Sequence, residues 1–263
     1  MTADKNQFTL IEKIRGILSV PVFFILLLLI TPFILVLIVI SAGKLNNFVI
    51  EKIAPLIAKP VMAVLGIKFK VQEHADSYPS PAIYIINHNS TLDVLTILAL
   101  GLPRVRFVAK WEFQYNPLFF IVGRLTGQVF IRRRKTDKAI ATLQKAMKRV
   151  KKDRLSLMFA PEGSRKHPGV IGPFKKGPFR MAHQLEYPIV PIYFEGNRKL
   201  SKGAMFYTKP GTCTAHIFPA IDTSGWTLNN MDQKVEEVRN RYLDWAKVFE
   251  SNNKPVNKSL TGK

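Results

Sequence analysis

Short apolar runs alternating with helical stretches predict an α/β fold, a mixed sheet flanked by helices, behind an N-terminal membrane-embedded helical segment. Three observations carry that expectation. From Gly16 to Gly43 there is no charged residue, a stretch of roughly 42 Å as helix against a hydrocarbon slab of roughly 30 Å. After residue 70 the pattern changes to strand-like runs separated by amphipathic ones. The balance of 39 Lys and Arg against 18 Asp and Glu gives a formal charge of +21, which favours a polyanionic partner such as a lipid surface, a phosphorylated small molecule or nucleic acid.

Residues 1–70 are expected to form a membrane anchor and an interfacial segment. Pro21 and Pro32 interrupt the apolar stretch, and an interior proline removes a helix hydrogen bond. A kinked crossing helix and a hairpin turning at Thr31-Pro32 both fit. The flanking charges, Lys13 and Arg15 before and Lys44 and Lys52 after, are too balanced to choose. A cleaved leader fits less well, because its apolar region typically runs about 7 to 15 residues. The following stretch, Phe48 to Ile67, is broken by Glu51, Lys52 and Lys59 and suits either an interfacial segment or a buried helix.

Residues 71–250 are expected to form the α/β domain. Its candidate strands are Ile83–Ile86, Val105–Ala109, Val129–Ile131, Leu155–Phe159, Ile189–Phe194 and Cys213–Phe218. Helices are predicted over Ser90–Leu100, Pro117–Leu125, Thr136–Lys152, Pro178–Leu185 and Met231–Phe249. In the third of these, Ile140, Leu143, Met147 and Val150 recur at helical spacing and leave lysines on the other face. Residues 251–263 are polar and read as a tail. The lone cysteine, Cys213, allows no internal disulfide and no cysteine metal cluster, so it reads as a packing residue.

Basic residues cluster in Arg132–Arg154, with eleven Lys and Arg against two Asp, and again in Arg165–Arg180. Their ordinary use is solubility and attraction to an anionic membrane. Nucleic-acid binding is disfavoured, since the chain has no recognisable helix-turn-helix, finger or aromatic RNA platform.

His88 and Asp93 stand where an apolar strand-like run gives way to a helix-like one. Positions five apart on a helix point about 140° away from each other. They meet only if His88 lies on the loop leaving the strand and Asp93 lies in the first helical turn. A histidine can then accept a proton near neutrality while the carboxylate holds its other nitrogen. Ser90-Thr91-Leu92-Asp93 equally fits a capping box, and one Asp93 can serve both roles.

Four further stretches follow in order: Val108-Ala109-Lys110-Trp111-Glu112-Phe113, Gly127-Gln128-Val129-Phe130-Ile131-Arg132-Arg133, Phe159-Ala160-Pro161-Glu162-Gly163-Ser164-Arg165 with Phe174-Lys175-Lys176-Gly177, and Ile189-Val190-Pro191-Ile192. This ordered set resembles the glycerolipid acyltransferase family, most closely the bacterial lysophosphatidic acid acyltransferases. Ser164 stands where the family more often has threonine, and Ala160 separates Phe159 from Pro161. Glu195-Gly196-Asn197-Arg198 repeats the glutamate-glycine-x-arginine form, but follows the Val-Pro-Ile block and lacks the lysines downstream, so it reads as a decoy.

The resemblance implies that His88 is the general base and Asp93 its orienter, with no cofactor and no metal. It implies an acyl-CoA or acyl carrier protein donor and lysophosphatidic acid as acceptor. Arg133 and Arg165 would grip the acceptor's phosphate, with Lys110 as a third cation. Gly163 would allow close backbone approach, Ser164 keeps a hydroxyl, and Glu162 either accepts a glycerol hydroxyl or locks Arg165. The expected setting is a bacterial inner membrane with the catalytic domain facing the cytoplasm. Rival readings are another acceptor (glycerol 3-phosphate, a lysophospholipid or a lyso-aminolipid), a membrane-binding protein without catalysis, and a serine hydrolase, which lacks its glycine-x-serine-x-glycine elbow.

Overall fold

The computed structural model describes residues 8–115, 120–121, 123, 126–131, 137–163, 170–201 and 207–251. A 31-residue helix, α1 (Leu10–Ile40), opens with a capping box in which Thr9 N donates to Glu12 and Glu12 N donates to Thr9 Oγ1. Pro21 and Pro32 both lie inside this continuous helix. Thr31-Pro32 is therefore no turn. The chain reverses instead over Ser41–Leu45, where Ala42 and Gly43 take positive φ and Gly43 N reaches Ile38 O at 2.9 Å.

The return leg runs through α2 (Asn46–Phe48), a π-helical turn (Val49–Ile53) and α3 (Ala54–Val64). One face of this segment is buried, while Phe48 and Leu56 remain exposed. Ala58, Val61 and Met62 of α3 pack with Leu92, Leu95, Ala99 and Cys213, while Ile34 and Ile38 of α1 pack on Val49 and Ile53. The first strand, β1 (Ile67–Glu73), straddles residue 70, so the sheet starts within the segment read as anchor.

The other strands are β2 (Ile83–Ile86), β3 (Val105–Lys110), β4 (Val129–Ile131), β5 (Ser156–Phe159), β6 (Ile189–Glu195) and β7 (Gly211–Ile217). They form one mixed sheet in the order β1-β7-β6-β2-β5-β3-β4. Strands β6, β2, β5, β3 and β4 are mutually parallel, and β7 with β1 runs antiparallel to them. The central strands β2 and β5 are buried throughout, as parallel strands covered on both faces must be.

Helices α4 (Asp93–Leu100), α5 (Asp137–Lys152), α6 (Gly177–Leu185) and α8 (Met231–Ser251) flank the sheet, with a short α7 (Asn197–Leu200) after β6. The helix expected over Pro117–Leu125 and the tail beyond Ser251 fall mostly or wholly outside the described residues. One core unites α6, α8 and the sheet, and the Tyr242 hydroxyl of α8 donates to Ile85 O while accepting from Ile192 N. That bridge ties β2 to β6 just before the chain reaches His88.

Candidate active site

Parallel strands deliver their C-terminal ends to one edge of the sheet, the edge where open α/β sheets bind ligands. Here that edge carries the loop after β2 with His88, the end of β3 with Lys110, the turn after β5 with Glu162 and Gly163, and the start of α7 with Asn197.

The first residue past β2, Asn87, is fully buried and uses its side chain to extend the strand pairing. Its Nδ2 donates to Phe194 O at 3.1 Å, and its Oδ1 accepts from Phe194 N at 2.7 Å. The loop is thereby fixed to β6 before His88 turns off it. His88 Nδ1 then lies 2.8 Å from Asp93 Oδ2, with the imidazole one quarter exposed and the carboxylate fully buried.

Asp93 is held from three sides. Ser90 N donates to Oδ2 at 3.0 Å, which is half of the expected capping box, and Asn197 Nδ2 donates to Oδ1 at 2.7 Å. The other half of the box is absent because Ser90 Oγ accepts from Leu92 N instead. A carboxylate only accepts, so His88 carries its proton on Nδ1 and leaves Nε2 free to take one. Those hydrogen bonds also occupy the Ser90 and Leu92 amides, so neither is spare to donate to a developing oxyanion.

Glu162 faces inward and is 2% exposed. Its Oε1 accepts from His88 N at 2.9 Å and its Oε2 accepts from Gly172 N at 2.7 Å, so the carboxylate clasps the His88 loop to the segment around Gly172. Gly163 has φ +65°, and a Cβ there would come within 2.9 Å of Lys175 Nζ. Lys110 is half exposed and paired to Glu112 at 3.1 Å. Arg133, Ser164 and Arg165 lie outside the described residues.

Asn197 is the residue that sequence reasoning missed. It sits in the decoy stretch, fully buried, and its amide also reaches Thr96 Oγ1 at 3.0 Å. Glu195 of the same stretch turns elsewhere, to His216 Nε2 at 3.0 Å. Gly196 between them has φ +89°, and a Cβ there would meet Thr212 O at 2.6 Å. The signal available in the sequence was a strand ending in glycine followed by asparagine; its pairing with the strand before His88 is seen only in the structure.

A buried carboxylate hydrogen-bonded to a part-exposed imidazole at this edge is an arrangement able to act as a general base without an enzyme nucleophile. Residues 67–195 match the model of the Acyltransferase family. The chain carries an acyltransferase-family domain.

This acyltransferase domain extends through relatives whose names agree. The chain is 32% identical over 186 residues to a 1-acyl-sn-glycerol-3-phosphate acyltransferase of Saccharomyces cerevisiae, an overlap of 70% of this chain and 61% of the yeast protein. It is 28% identical over 207 residues to the mouse 1-acyl-sn-glycerol-3-phosphate acyltransferase alpha, covering 78% of this chain and 72% of that protein. The chain thus spans less than two thirds of the yeast relative. Its fold is that of the crystal structure of the 1-acyl-sn-glycerophosphate (LPA) acyltransferase PlsC from Thermotoga maritima, with a TM-score of 0.70 at 23% identity over 90% of this chain and 98% of the other.

Proposed function

We propose that this acyltransferase moves a fatty acyl group from acyl-CoA or acyl carrier protein to the sn-2 hydroxyl of lysophosphatidic acid, giving phosphatidic acid. The observation that carries this reading is the 2.8 Å contact from Asp93 to Nδ1 of a part-exposed His88. His88 Nε2 takes the proton of the acceptor hydroxyl as its oxygen bonds to the thioester carbon. The C–S bond then breaks, and the departing thiolate recovers that proton from the imidazolium. Asp93 stabilises the imidazolium in between. Such base help contributes about 10² to 10⁴ in rate, and holding the two substrates in register supplies much of the remainder.

The acceptor's phosphate needs cations, and on this reading Arg133 and Arg165 supply them, with Lys110 and Lys175 adding charge at the same edge. Glu162 acts by holding the His88 loop, since both its oxygens are taken by backbone amides.

The enzyme works at a membrane. Helix α1 is long and apolar enough to cross one, yet it packs against the rest of the protein along its length, from Arg15 beside Gly66 to Ile38 on the π-helical turn. A helix so flanked suits lying in one leaflet, with Phe24, Leu28, Phe33 and Val36 of its exposed face turned to lipid. The catalytic domain then faces the cytoplasm of a bacterial inner membrane, where thioester donors are made.

Purified enzyme offered lysophosphatidic acid, glycerol 3-phosphate and a lysophospholipid with one labelled donor tests the assignment. The expected result is the highest kcat/KM for lysophosphatidic acid. A higher value for either of the others reassigns the acceptor.

A further inference from the structure

The opposite edge of the sheet carries a second feature that acyl transfer does not use. Where β3, β4 and β5 begin, the reversal after α1 and the last turns of α5 border an open, shallow cavity of about 630 Å³. Its lining includes Ile38, Val39 and Lys44 from the end of α1 and its reversal, and Arg149 and Asp153 from the end of α5. His88 follows the C-terminal end of β2, which runs parallel to these strands, so this cavity at their N-terminal ends is separate from the catalytic edge.

The cations here exceed their partners. Arg149 pairs with Asp153 at 3.5 Å, and Arg104 donates from its backbone N to Glu51 at 3.0 Å and from its guanidinium to Asp153 O. Arg106 is 3% exposed, donates to Asn47 Oδ1 at 2.9 Å, and has no partner for its Nε. Burial, followed by the charges of Arg149 and Arg104, pushes the Arg106 guanidinium down to about 10. Of the charged residues lining the cavity among the described residues, Lys44 and Arg149 are cations and Asp153 is the acid, with Arg104 and the buried Arg106 close behind Arg149 and Asp153. Arg149 is seated on the Gly127 turn, where φ is +75° and a Cβ would come within 2.6 Å of its guanidinium.

The apolar side of the same cavity continues into the exposed Val36, Val39 and Ile40 of α1. Cations beside an apolar helix end suit a molecule with an anionic head and hydrocarbon tails. We propose that this cavity binds the headgroup of an anionic phospholipid of the surrounding bilayer, at a site distinct from the acceptor site. Lys44 and Arg149 contact its phosphate, and its chains follow the outer face of α1. The site rests on α1 lying in the membrane, and not on the identity of the acyl acceptor.

The test takes the full chain from vesicles of phosphatidylcholine with phosphatidylglycerol, releases it in detergent and counts retained lipid by native mass spectrometry. Wild type is expected to keep one phosphatidylglycerol and no phosphatidylcholine. Lys44→Ala/Arg149→Ala is expected to lower that retention roughly 30-fold, as the loss of two interfacial cations would. Lys148→Ala/Lys151→Ala, which removes the same charge from α5 outside the cavity, is expected to retain it. Lys44→Glu, a change at an exposed side chain, repeats the loss without disturbing Arg149. Equal retention in wild type and both cavity variants overturns the site, and so does displacement of the lipid by inorganic phosphate alone, which would make it a free-anion site. Flotation on pure phosphatidylcholine vesicles reads the seating of α1 separately, so a failure there is distinguishable from a failure of the cavity.

Discussion

Asn197 donates to the Asp93 oxygen that His88 does not use, at 2.7 Å, although 104 residues separate the two in the chain. The amide fixes the carboxylate plane while adding no charge that would compete with the imidazolium. Replacing Asn197 by Ala leaves Asp93 Oδ1 buried without this donor, and a slackened base is expected to cost roughly 10- to 100-fold in kcat. Asn197→Asp keeps the shape but sets two carboxylates together, so it is expected to be no better than Ala. If the isostere restores wild-type kcat, Asn197 only fills space.

Asp93→Asn tests the tautomer. An asparagine can turn its NH2 toward Nδ1, which drives the histidine proton to Nε2 and removes the basic lone pair. Steady-state rates are expected to drop about 10² to 10⁴-fold, alongside a stability loss of about 1 to 3 kcal/mol because the same NH2 then faces the Ser90 N–H. A variant within a few-fold of wild type contradicts the orienting role.

Glu162 separates positioning from substrate binding. Glu162→Gln keeps one acceptor but presents an NH2 to the other backbone N–H, at a cost of about 1 to 3 kcal/mol in stability. With the His88 loop loosened, kcat falls and KM for the acceptor stays within about twofold. A raised KM at unchanged kcat would instead put Glu162 on the acceptor.

His74 gives the fold a pH dependence of known sign. Its ring lies 3.1 Å from His216 Nδ1 and stacks on Phe218, and His216 in turn binds Glu195. Burial, and next the charge of His216, holds His74 below its ordinary value of 6.5. The unfolded chain therefore takes up this proton before the folded one. Stability is full above that value and is lost as pH falls through the lower folded value. Melting temperatures measured across this range are expected to decline less steeply toward acid in His74→Gln. An unchanged slope assigns the acid sensitivity to other groups.

Much of the candidate site's geometry was legible because its signals are local. His88, Asp93 and the serine-x-x-acid form lie within six residues, and the strands β2, β3 and β4 show as short apolar runs bounded by turn residues. What escaped was tertiary. β1 alternates Ile67, Phe69 and Val71 with Lys68, Lys70 and Gln72, a readable edge-strand pattern that the apolar stretch before it obscured. The interior prolines left a kinked crossing helix and a hairpin turning at Thr31-Pro32 both open, because proline removes a helix hydrogen bond. The helix instead continues to Ile40, and positive φ at Ala42 and Gly43 makes the turn. Asn197 was discounted with its decoy motif, since nothing local reveals that β6 lies beside β2 and brings the asparagine onto Asp93.

The central claim is that the His88 imidazole removes the proton from the acceptor hydroxyl. It is tested most directly by single-turnover transfer of a labelled acyl group to lysophosphatidic acid, comparing wild type with His88→Ala at matched folding and acceptor binding. The account predicts labelled phosphatidic acid from wild type and a rate lower by about 10² to 10⁴ in the variant. Transfer at the wild-type rate by His88→Ala would contradict it.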